Sequence, residues 1–407
     1  MLRSIRRRSP VAEALLHTLC HFVSERDESL FLVGGLVRDV LAGSGDVEGN
    51  PPDIDLAIDG DPEPLVPLIA AAAVAQPVTH ERFGTASATL VDGTRIDVAL
   101  TRSERYPSPG ALPSVSPAPI EVDMGRRDFS INAMALALTG GRAGELLDPF
   151  GGTADLKRRR IRTLHPESFR DDPTRLIRAA RYASRIGATI ERRTARDAAR
   201  ERHHLAALTA ERFGDAWRLL LQEPDPASAL SVARRLEIPQ SREPRWTLPA
   251  AALRTSQPGE VFWAGVGLLA TDPSISDRLP GSVGMRRTER TALAAGVWLR
   301  GRRRSLGGTR RPSRVADMLS GVSDSALEAA TRLWTGRSGA AVSAYLHGRS
   351  EVRSPISPSV LMELGVRAGP ELGKTITEIE GLIWDGELDP EDRSAVARLK
   401  QRIRLSR

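Results

Sequence analysis

The sequence predicts an α+β fold, in which a small mixed sheet with helices precedes an all-helical remainder. Two short apolar segments, at 30–33 and 53–58, have the length and composition of strands. Two alternating segments, at 86–91 and 94–100, are joined by Asp92-Gly93, a pair typical of a tight hairpin turn. From about residue 190 onward the apolar spacing predicts helix after helix. At 407 residues the chain is too long for one core, so about two to four domains are expected.

The composition is that of a globular protein with a basic surface. Hydrophobic residues make up 41% of the chain, and the net charge of +7 favours a polyanionic partner. Nearly all basic residues are Arg, and Lys occurs only at 157, 374 and 400. Arginine suits bidentate phosphate contacts. The same bias also follows from genome composition, and the two explanations have about even odds on the sequence alone.

Several classes of protein are disfavoured. Cys20 is the only cysteine, which excludes a disulfide framework or a cysteine-based zinc site within one chain and fits a reducing compartment. No apolar run approaches the roughly 20 residues of a membrane span. The start, MLRSIRRRSP, is Arg-rich like a transit peptide, but 11–23 has the pattern of an ordinary amphipathic helix. We therefore expect a cytoplasmic protein without a membrane partner, with organelle import as the alternative.

The segment 31–58 carries the strongest chemical signal. A Gly34-Gly35 turn before a short helix would let backbone N–H groups close on an anion, and Arg38 adds a charged fork one turn later. Asp53 and Asp55, two positions apart on a strand, point to the same face, as carboxylates must to bind divalent cations. A phosphate cradle beside a metal dyad suggests a nucleoside triphosphate handled through Mg²⁺.

Other segments of the N-terminal part are less specific. Asp97, on the second hairpin strand, is either a third metal carboxylate or a solvated edge-strand residue. We expect a helix at 65–75, a flexible polar loop at 44–52, and a mobile loop without periodicity at 103–119.

Two polar clusters follow that loop. Arg126, Arg127, Asp128 and Asn132 bring guanidinium, carboxylate and amide groups together, although such residues often only cap a helix. Asp172, before Pro173, has the pattern of a helix N-cap. In the helix after it, three arginines lie on one side and an apolar stripe on the other, which indicates an anionic ligand or carboxylate partners; they are Arg175, Arg178 and Arg181.

The C-terminal half has no clear repeat. We expect a Gly/Ser-containing loop around Arg302 to Arg304, where phosphate contact and solvated surface are equally plausible. The predicted helices are 194–205, 210–221, 227–236, 258–270, 288–300, 324–346, 359–367 and 375–385.

Taken together, four ordered segments resemble the class II tRNA nucleotidyltransferase and bacterial poly(A) polymerase family, within the polymerase-beta nucleotidyltransferase superfamily. Order and spacing agree over about 30–240, and a looser match, AERFGDAWRLLL, follows at 210–221. The sequence departs from the family's pattern at Asp171, where Glu is usual, and at Thr174, where Leu is usual. The segments are LVGGLVRDVLAG with DIDLAI, RRDFSINAMAL, LLDPFGGTADLKRRRIRTL and SFRDDPTRLIRAARYASRIGATIE.

The resemblance implies a role for each candidate residue. Asp53 and Asp55 would hold two Mg²⁺ ions, and Gly35 and Arg38 would contact the triphosphate. Arg127 and Asp128 would contact ribose and phosphate, supported by Asn132. Asp172 and Arg175 would pair with the incoming base, and Arg178 and Arg181 would continue toward the nucleotide. The loop at 103–122 resembles a mobile element that helps switch the site from CTP to ATP.

The resemblance also implies an architecture and an activity. The expected domains are a nucleotidyltransferase head at 1–157, a helical neck at 158–240, and a helical body and tail at 241–407 that binds tRNA. The expected activity is template-independent addition of CCA to tRNA 3′ ends from CTP and ATP. The alternatives are a CC-only or A-only enzyme, a poly(A) polymerase, and, from another class, a non-catalytic RNA-binding protein. The sequence leaves the oligomeric state open.

Overall fold

The structure is a computed structural model that describes residues 2–43, 51–80, 84–255 and 259–405. The chain forms two compact units, Met1–Arg242 and Glu243–Arg407. Most of the predicted loop at 44–52, and the first residue of the predicted helix at 258–270, lie outside the described residues.

The first unit contains a seven-stranded mixed sheet, which confirms the predicted fold class. Its strand order is β3-β4-β5-β2-β1-β8-β9, and only the β2–β5 pair is parallel. The strands are β1 Ser29–Val33, β2 Asp53–Asp59, β3 Val78–His80, β4 Thr85–Thr89, β5 Arg95–Leu100, β6 Arg102–Arg105, β7 Ser114–Pro117, β8 Ala135–Ala137, β9 Leu146–Leu147, β10 Arg160–Ile161 and β11 Thr189–Ile190.

Helices surround the sheet and then extend the first unit. Both predicted N-terminal strands, the Asp92-Gly93 hairpin and the first amphipathic helix are confirmed. The helices of this unit are α1 Leu2–Arg8, α2 Pro10–Ser24, α3 Gly35–Leu41, α4 Val66–Ala70, α5 Ile120–Gly125, α6 Gly152–Lys157, α7 Ser168–Asp171, α8 Thr174–Arg185, α9 Arg192–Glu201, α10 Ala210–Leu221, α11 Pro226–Arg235 and α12 Ile238–Arg242.

The core lies on both faces of the central strand β1. Leu30 and Leu32 are completely buried, while Phe31 and Val33 belong to a cluster that includes Met124. Because successive side chains alternate across a strand, burial of all four positions requires cover on both faces. Strand β1 is therefore held in the core and pairs with β2, the strand that carries Asp53 and Asp55.

Two predictions for this unit are wrong in detail. The helix expected at 65–75 ends at Ala70, because Val74 N–H donates to the Thr89 carbonyl at 2.9 Å and joins the sheet instead. The segment 103–119, expected to lack regular structure, contains the antiparallel ribbon of β6 and β7. Backbone pairing overrides the turn-forming composition there.

The second unit is helical throughout its described residues, apart from turns. Its helices are α13 Glu260–Leu269, α14 Ile275–Val283, α15 Arg287–Gly308, α16 Pro312–Leu319, α17 Asp324–Leu333, α18 Gly336–Gly348, α19 Pro358–Glu363, α20 Pro370–Trp384 and α21 Arg393–Leu405. Helices α13 and α15 cross closely at Gly296, where a Cβ would overlap the Ala264 carbonyl.

The second unit differs from expectation at two positions. The predicted loop around Arg302 to Arg304 is helical, because α15 continues to Gly308. The single helix predicted at 324–346 is broken after Leu333, where Gly336 has a φ of +73° that interrupts helical geometry. In the described ranges, no helix is both long and apolar enough to span a bilayer.

Candidate active site

The two central carboxylates lie on β2, beside a parallel neighbour. Asp53 is opposite Arg95 and Asp55 is opposite Asp97 in the β2–β5 register. Asp53 is exposed, whereas Asp55 and Asp97 are half-buried and line one cavity. The structure therefore brings Asp97 next to the dyad, but its carboxylate also accepts from the Ser87 hydroxyl and lies 3.1 Å from Arg95 Nε.

The Gly34-Gly35 turn lies directly against Asp55. Gly34 has a φ of +76°, and a Cβ at this position would overlap the Asp55 carboxylate. Glycine is therefore required both by the backbone conformation and by the close approach. The Gly35 N–H, in the first residue of α3, donates to the Asp55 carboxylate.

The environment of Asp55 raises its pKa. Burial is the largest cause, and the negative charges of Asp97 and Asp53 act in the same direction. Arg127 opposes them by favouring the ionised form. A cation bound between these carboxylates would relieve the same repulsion.

The donor set fits a hard divalent cation completed by other ligands. Within the described ranges no three His, Cys, Asp or Glu side chains converge as a complete metal-binding group. Mg²⁺ commonly takes only one or two protein carboxylates and fills its shell with water and substrate phosphates. Asp53 and Asp55 can supply those two carboxylates, and Asp55 lines the cavity.

The cavity has a volume of about 570 Å³ and is lined by equal numbers of positively and negatively charged side chains. Six arginines and six carboxylates face it, together with the Gly34-Gly35 turn, Asn132 and two tyrosines. The lining arginines are Arg102, Arg126, Arg127, Arg175, Arg178 and Arg212, and the carboxylates are Asp55, Asp97, Glu104, Asp123, Asp128 and Asp172.

A buried polar network supports one wall of this cavity. Asp128 accepts from Asn132 Nδ2 at 2.9 Å and from Arg178 Nε at 2.7 Å. Asn132 Oδ1 in turn accepts from Arg38 Nη1 at 2.7 Å. Burial raises the pKa of Asp128, but Arg178 and the Asn132 hydrogen bond outweigh it and hold that pKa below its ordinary value. The network joins the head segment to α8.

Arg38 lies behind the cavity wall. Its side chain is 2% exposed, is not part of the cavity lining, and pairs with Asp39 at 2.7 Å. Its guanidinium also lies 5.0 Å from the centre of the Tyr182 ring. In this conformation Arg38 orients Asn132, and the triphosphate contact suggested by sequence stays a prediction.

Arg127 and Arg126 are held by a shared buried acid. Arg127 Nη2 lies 2.9 Å from one oxygen of Asp123, and Arg126 Nη2 lies 2.6 Å from the other. Burial opposes ionisation of Asp123, but Arg127 and then Arg126 lower its pKa. Arg126 also contacts Glu104 at 2.8 Å. Both guanidinium groups are thereby fixed at the cavity surface.

The three candidate arginines of α8 divide into two that line the cavity and one that does not. Arg175 is buried and donates to Ser168 Oγ at 2.7 Å and to the Arg126 carbonyl at 2.6 Å, while it lines the cavity with Arg178. Arg181 lies outside the lining, because its Nε donates to the buried Glu223 at 2.9 Å. A nucleotide contact from Arg181 has no support in this geometry and stays a prediction.

Asp172 is held from one side. Its Oδ1 accepts from Thr174 N at 3.1 Å, from Thr174 Oγ1 at 2.7 Å and from Arg212 Nη2 at 3.3 Å. Within the described parts of the chain, Oδ2 has no hydrogen-bond donor. Asp172 is the C-cap of α7, and the N-cap of α8 is Pro173, so the N-cap predicted for Asp172 is wrong by one residue. Asp172 still accepts from an N–H of the first turn of α8, and it lines the cavity.

Sequence reasoning missed several lining residues, among them Arg212, Tyr106 and Tyr182. Arg212 donates to the Gly110 carbonyl as well as to Asp172, and it lies in the looser 210–221 match that carried no assigned role. Tyr106 donates to Glu104 at 2.7 Å, and burial with that hydrogen bond raises its pKa. Tyr182 follows Arg178 by one helical turn, a spacing that offered a signal. The loop expected at 103–119 offered no comparable signal for Tyr106.

Comparisons with known proteins agree in the N-terminal half and in the overall fold. Residues 30–162 match the model of the poly A polymerase head domain. An A-adding tRNA nucleotidyltransferase of Halalkalibacterium halodurans is 39% identical over 231 residues, which cover 56% of this chain and 53% of the relative. A CC-adding tRNA nucleotidyltransferase of Deinococcus radiodurans is 39% identical over 208 residues, which cover 51% of this chain and 53% of the relative.

The match to these curated relatives spans about half of their length. A solved apo structure of a CCA-adding enzyme is similar over 98% of this chain and 97% of its own, with a TM-score of 0.82 and 27% identity. The likeness of fold therefore extends beyond the segment in which the sequences align well.

Proposed function

We propose that the chain belongs to the family of class II tRNA nucleotidyltransferases and bacterial poly(A) polymerases, which it resembles in its head segment and fold, and that it adds CCA to tRNA 3′ ends from CTP and ATP. The observation that carries the proposal is the Gly34-Gly35 turn packed against Asp55, with Asp53 on the same strand, beside a cavity that can hold a nucleotide. The second unit, helical in its described residues apart from turns, is compatible with a role in holding RNA.

Asp53 and Asp55 would hold divalent cations, Mg²⁺ by their oxygen chemistry. When bound, such ions activate a 3′-hydroxyl and neutralise charge on the phosphates. The protein itself contributes the position of the carboxylates. Gly34 keeps the turn close to Asp55, and the Gly35 N–H fixes the orientation of that carboxylate.

Arginines would orient the triphosphate and ribose. Arg127, fixed by Asp123, lies close enough to Asp55 to oppose the rise of its pKa, so the charge of Arg127 also acts on the region where phosphates would lie. Asp128 and Asn132 keep Arg178 at the cavity wall. A preorganised guanidinium loses less conformational entropy on binding an anion than a mobile one does.

Asp172 and Arg175 are proposed to select the base. The open Oδ2 of Asp172 suits an exocyclic amine, which cytosine and adenine both carry. Arg175 is held by Ser168 and the Arg126 carbonyl, and its remaining N–H groups suit a ring nitrogen or carbonyl. Guanine and uracil present different donor and acceptor patterns.

The experiment uses tRNA transcripts that end before the CCA, after the first C, or after CC. The full chain is given one labelled triphosphate at a time. Addition of CC and then A is expected. Addition of C alone or A alone would leave a CC-adding or A-adding enzyme, alternatives favoured by the two relatives above, and long A tails would indicate a poly(A) polymerase.

The matched variants are Asp53→Ala and Asp59→Ala. Both residues are exposed on β2, at opposite ends of the strand. Asp53→Ala should abolish incorporation and leave tRNA affinity largely intact, whereas Asp59→Ala should behave as the parent. Incorporation by Asp53→Ala at the parent rate would remove the dyad from the mechanism, and no incorporation by the parent would leave a non-catalytic RNA-binding protein.

The domain assignment is part of the same proposal. We assign a catalytic head to 1–157, a base-reading neck to 158–240 and a tRNA-binding body and tail to 241–407. The division of the chain into compact units after Arg242 supports a boundary in that region.

A further inference from the structure

Helix α15 of the second unit carries an exposed tryptophan. Trp298 is 39% exposed, while Trp217, Trp246, Trp263 and Trp334 are buried. The buried positions of α15 around it are Leu293, Gly296 and Leu299. Trp298 lies off that side of the helix. The exposed part of the indole forfeits the stabilisation that its burial would provide, so packing accounts for only part of this side chain.

An arginine already stacks on this ring. The guanidinium carbon of Arg302, one helical turn later, lies 3.5 Å from the centre of the Trp298 ring. That distance is a face-to-face contact between a planar cation and an aromatic ring. The contact limits the rotamers of both side chains, and Trp298 remains 39% exposed with this guanidinium in place.

The surrounding segment is strongly basic. Between Val297 and Arg311 there are six arginines and no acidic residue. Arg302, Arg303 and Arg304 are exposed, and within the described residues none of the three pairs with a carboxylate. Arg303 instead lies 5.3 Å from the Trp334 ring centre. Unneutralised positive charge concentrated on one helix end favours a polyanionic partner.

We propose that Trp298 and Arg302 form a stacking platform for an unpaired base of an RNA, and that Arg304 binds a flanking phosphate. Every base has a π face, so such a platform is tolerant of sequence. An acidic protein surface would neutralise the arginines but would give no reason for an exposed tryptophan among them. The inference rests on the proposed function only for the identity of the RNA.

The test measures equilibrium binding of full-length protein to two RNAs, a tRNA transcript lacking its CCA end and a blunt, fully paired duplex. Trp298→Ala should weaken binding to the transcript by about 5- to 100-fold, the range that stacking of one base supports. Its effect on the duplex should be less than about twofold, because a paired base has no free face to offer. Trp298→Phe should retain most of the affinity and Trp298→Leu should not.

The salt dependence of RNA affinity distinguishes the contribution of charge from that of stacking. Arg304→Ala should reduce the slope of log affinity against log salt by about 0.7 to 0.9, while Trp298→Ala should leave that slope unchanged. Met362→Ala removes another exposed large apolar side chain of the second unit, and Arg367→Ala removes another exposed arginine. Neither control should reproduce the Trp298 pattern.

Three results would overturn the platform: parent-like transcript affinity in Trp298→Ala, equal losses on both RNAs, or recovery of affinity in Trp298→Leu. Displacement of RNA by polyglutamate but not by single-stranded polycytidylate would also overturn it, in favour of an acidic protein partner. The binding assay requires no catalysis. If the parent protein binds RNA with this pattern but incorporates no nucleotide, the proposed function is wrong and the stacking platform is still supported.

Discussion

The surroundings of the Asp55 carboxylate oppose its ionisation. Burial raises its pKa, and the charges of Asp97 and Asp53 raise it further. A carboxyl whose pKa is higher in the folded state than in the unfolded state binds its proton more tightly when folded. Its ionisation therefore lowers stability progressively as pH rises from the ordinary value of 3.8 through the raised pKa.

Asp55→Asn should consequently stabilise the metal-free protein at neutral pH. The gain in free energy of unfolding should grow as pH rises above 3.8, which urea denaturation at several pH values would measure. Nucleotide incorporation should fall at least about 100-fold, because an uncharged amide oxygen binds a divalent cation much more weakly than a carboxylate does. Asp59→Asn, on the same strand but outside the cavity, should change neither quantity. A loss of stability in Asp55→Asn at pH 7 would contradict this account.

Thr174 restrains the carboxylate that is proposed to read the base. Its hydroxyl donates to Asp172 Oδ1 at 2.7 Å, and its backbone N–H donates to the same oxygen. Valine has the shape of threonine but lacks the hydroxyl, so it removes only the side-chain bond. A bond of this type contributes about 0.5 to 1.5 kcal/mol, or more when one partner is charged.

Thr174→Val should therefore reduce discrimination between CTP and UTP by about 5- to 10-fold. The ratio of kcat/KM values for the two triphosphates is the measurement. Thr174→Ser keeps the hydroxyl and should retain the parent ratio. Equal slowing with both triphosphates, at an unchanged ratio, would assign Thr174 a purely structural role.

At the scale of elements, the side chain of Arg212 links the β6–β7 ribbon to α10 and to the cavity. Arg212 of α10 donates to the Gly110 carbonyl at the tip of the ribbon and to Asp172 in the cavity. Gly110 also lies against Leu208 and Ala207. The Arg212 guanidinium thus helps to set both the position of the ribbon and the orientation of the Asp172 carboxylate.

Arg212→Ala should loosen the ribbon without unfolding the unit. Amide hydrogen exchange at 106–113 should accelerate, while the melting temperature should shift by no more than a few degrees, since the lost contacts are near the surface. Arg235→Ala, an exposed arginine on α11, is the control. Unchanged exchange at 106–113 would mean that backbone pairing alone holds the ribbon.

Elements with strong local signals were predicted well. Alternation and the Asp92-Gly93 pair predict the β4–β5 hairpin, and apolar periodicity predicts α2 and α10. The ribbon at 102–117 and the extension of α15 to Gly308 were missed. Both depend on neighbours distant in sequence or on continuation through glycines, where local preference is weak.

At the scale of the whole molecule, the charge balance differs between the cavity and the rest of the surface. Six arginines and six carboxylates line the cavity, so the net charge of +7 resides elsewhere. Most lining arginines are paired and partly buried, which protects their interactions from salt. RNA affinity and nucleotide affinity should therefore respond differently to ionic strength.

Raising salt from 50 to 200 mM should weaken tRNA binding by about 10³- to 10⁵-fold if six to ten phosphates are contacted. Over the same range the KM for CTP should change by less than about 10-fold, since few exposed charges take part. Steady-state kinetics at saturating tRNA and a binding titration measure the two quantities. A KM for CTP that follows salt as steeply as tRNA affinity would show that exposed arginines bind the nucleotide.

The sequence by itself determined the residue types of the site and the strand that carries its carboxylates. Side-chain alternation places Asp53 and Asp55 on one face, and a glycine pair before a helix permits the positive φ of Gly34. These properties depend on neighbours along the chain, so local pattern is sufficient to predict them.

Only the tertiary structure decided which arginines face the cavity. The helical spacing of Arg175, Arg178 and Arg181 treats all three alike, but Glu223, which follows α10, captures Arg181, and Asn132 draws Arg38 behind the wall. Partners of this kind come from segments far apart in sequence. Because a guanidinium is directed by the carboxylate or carbonyl it meets in space, its direction follows from packing rather than from its place on a helix.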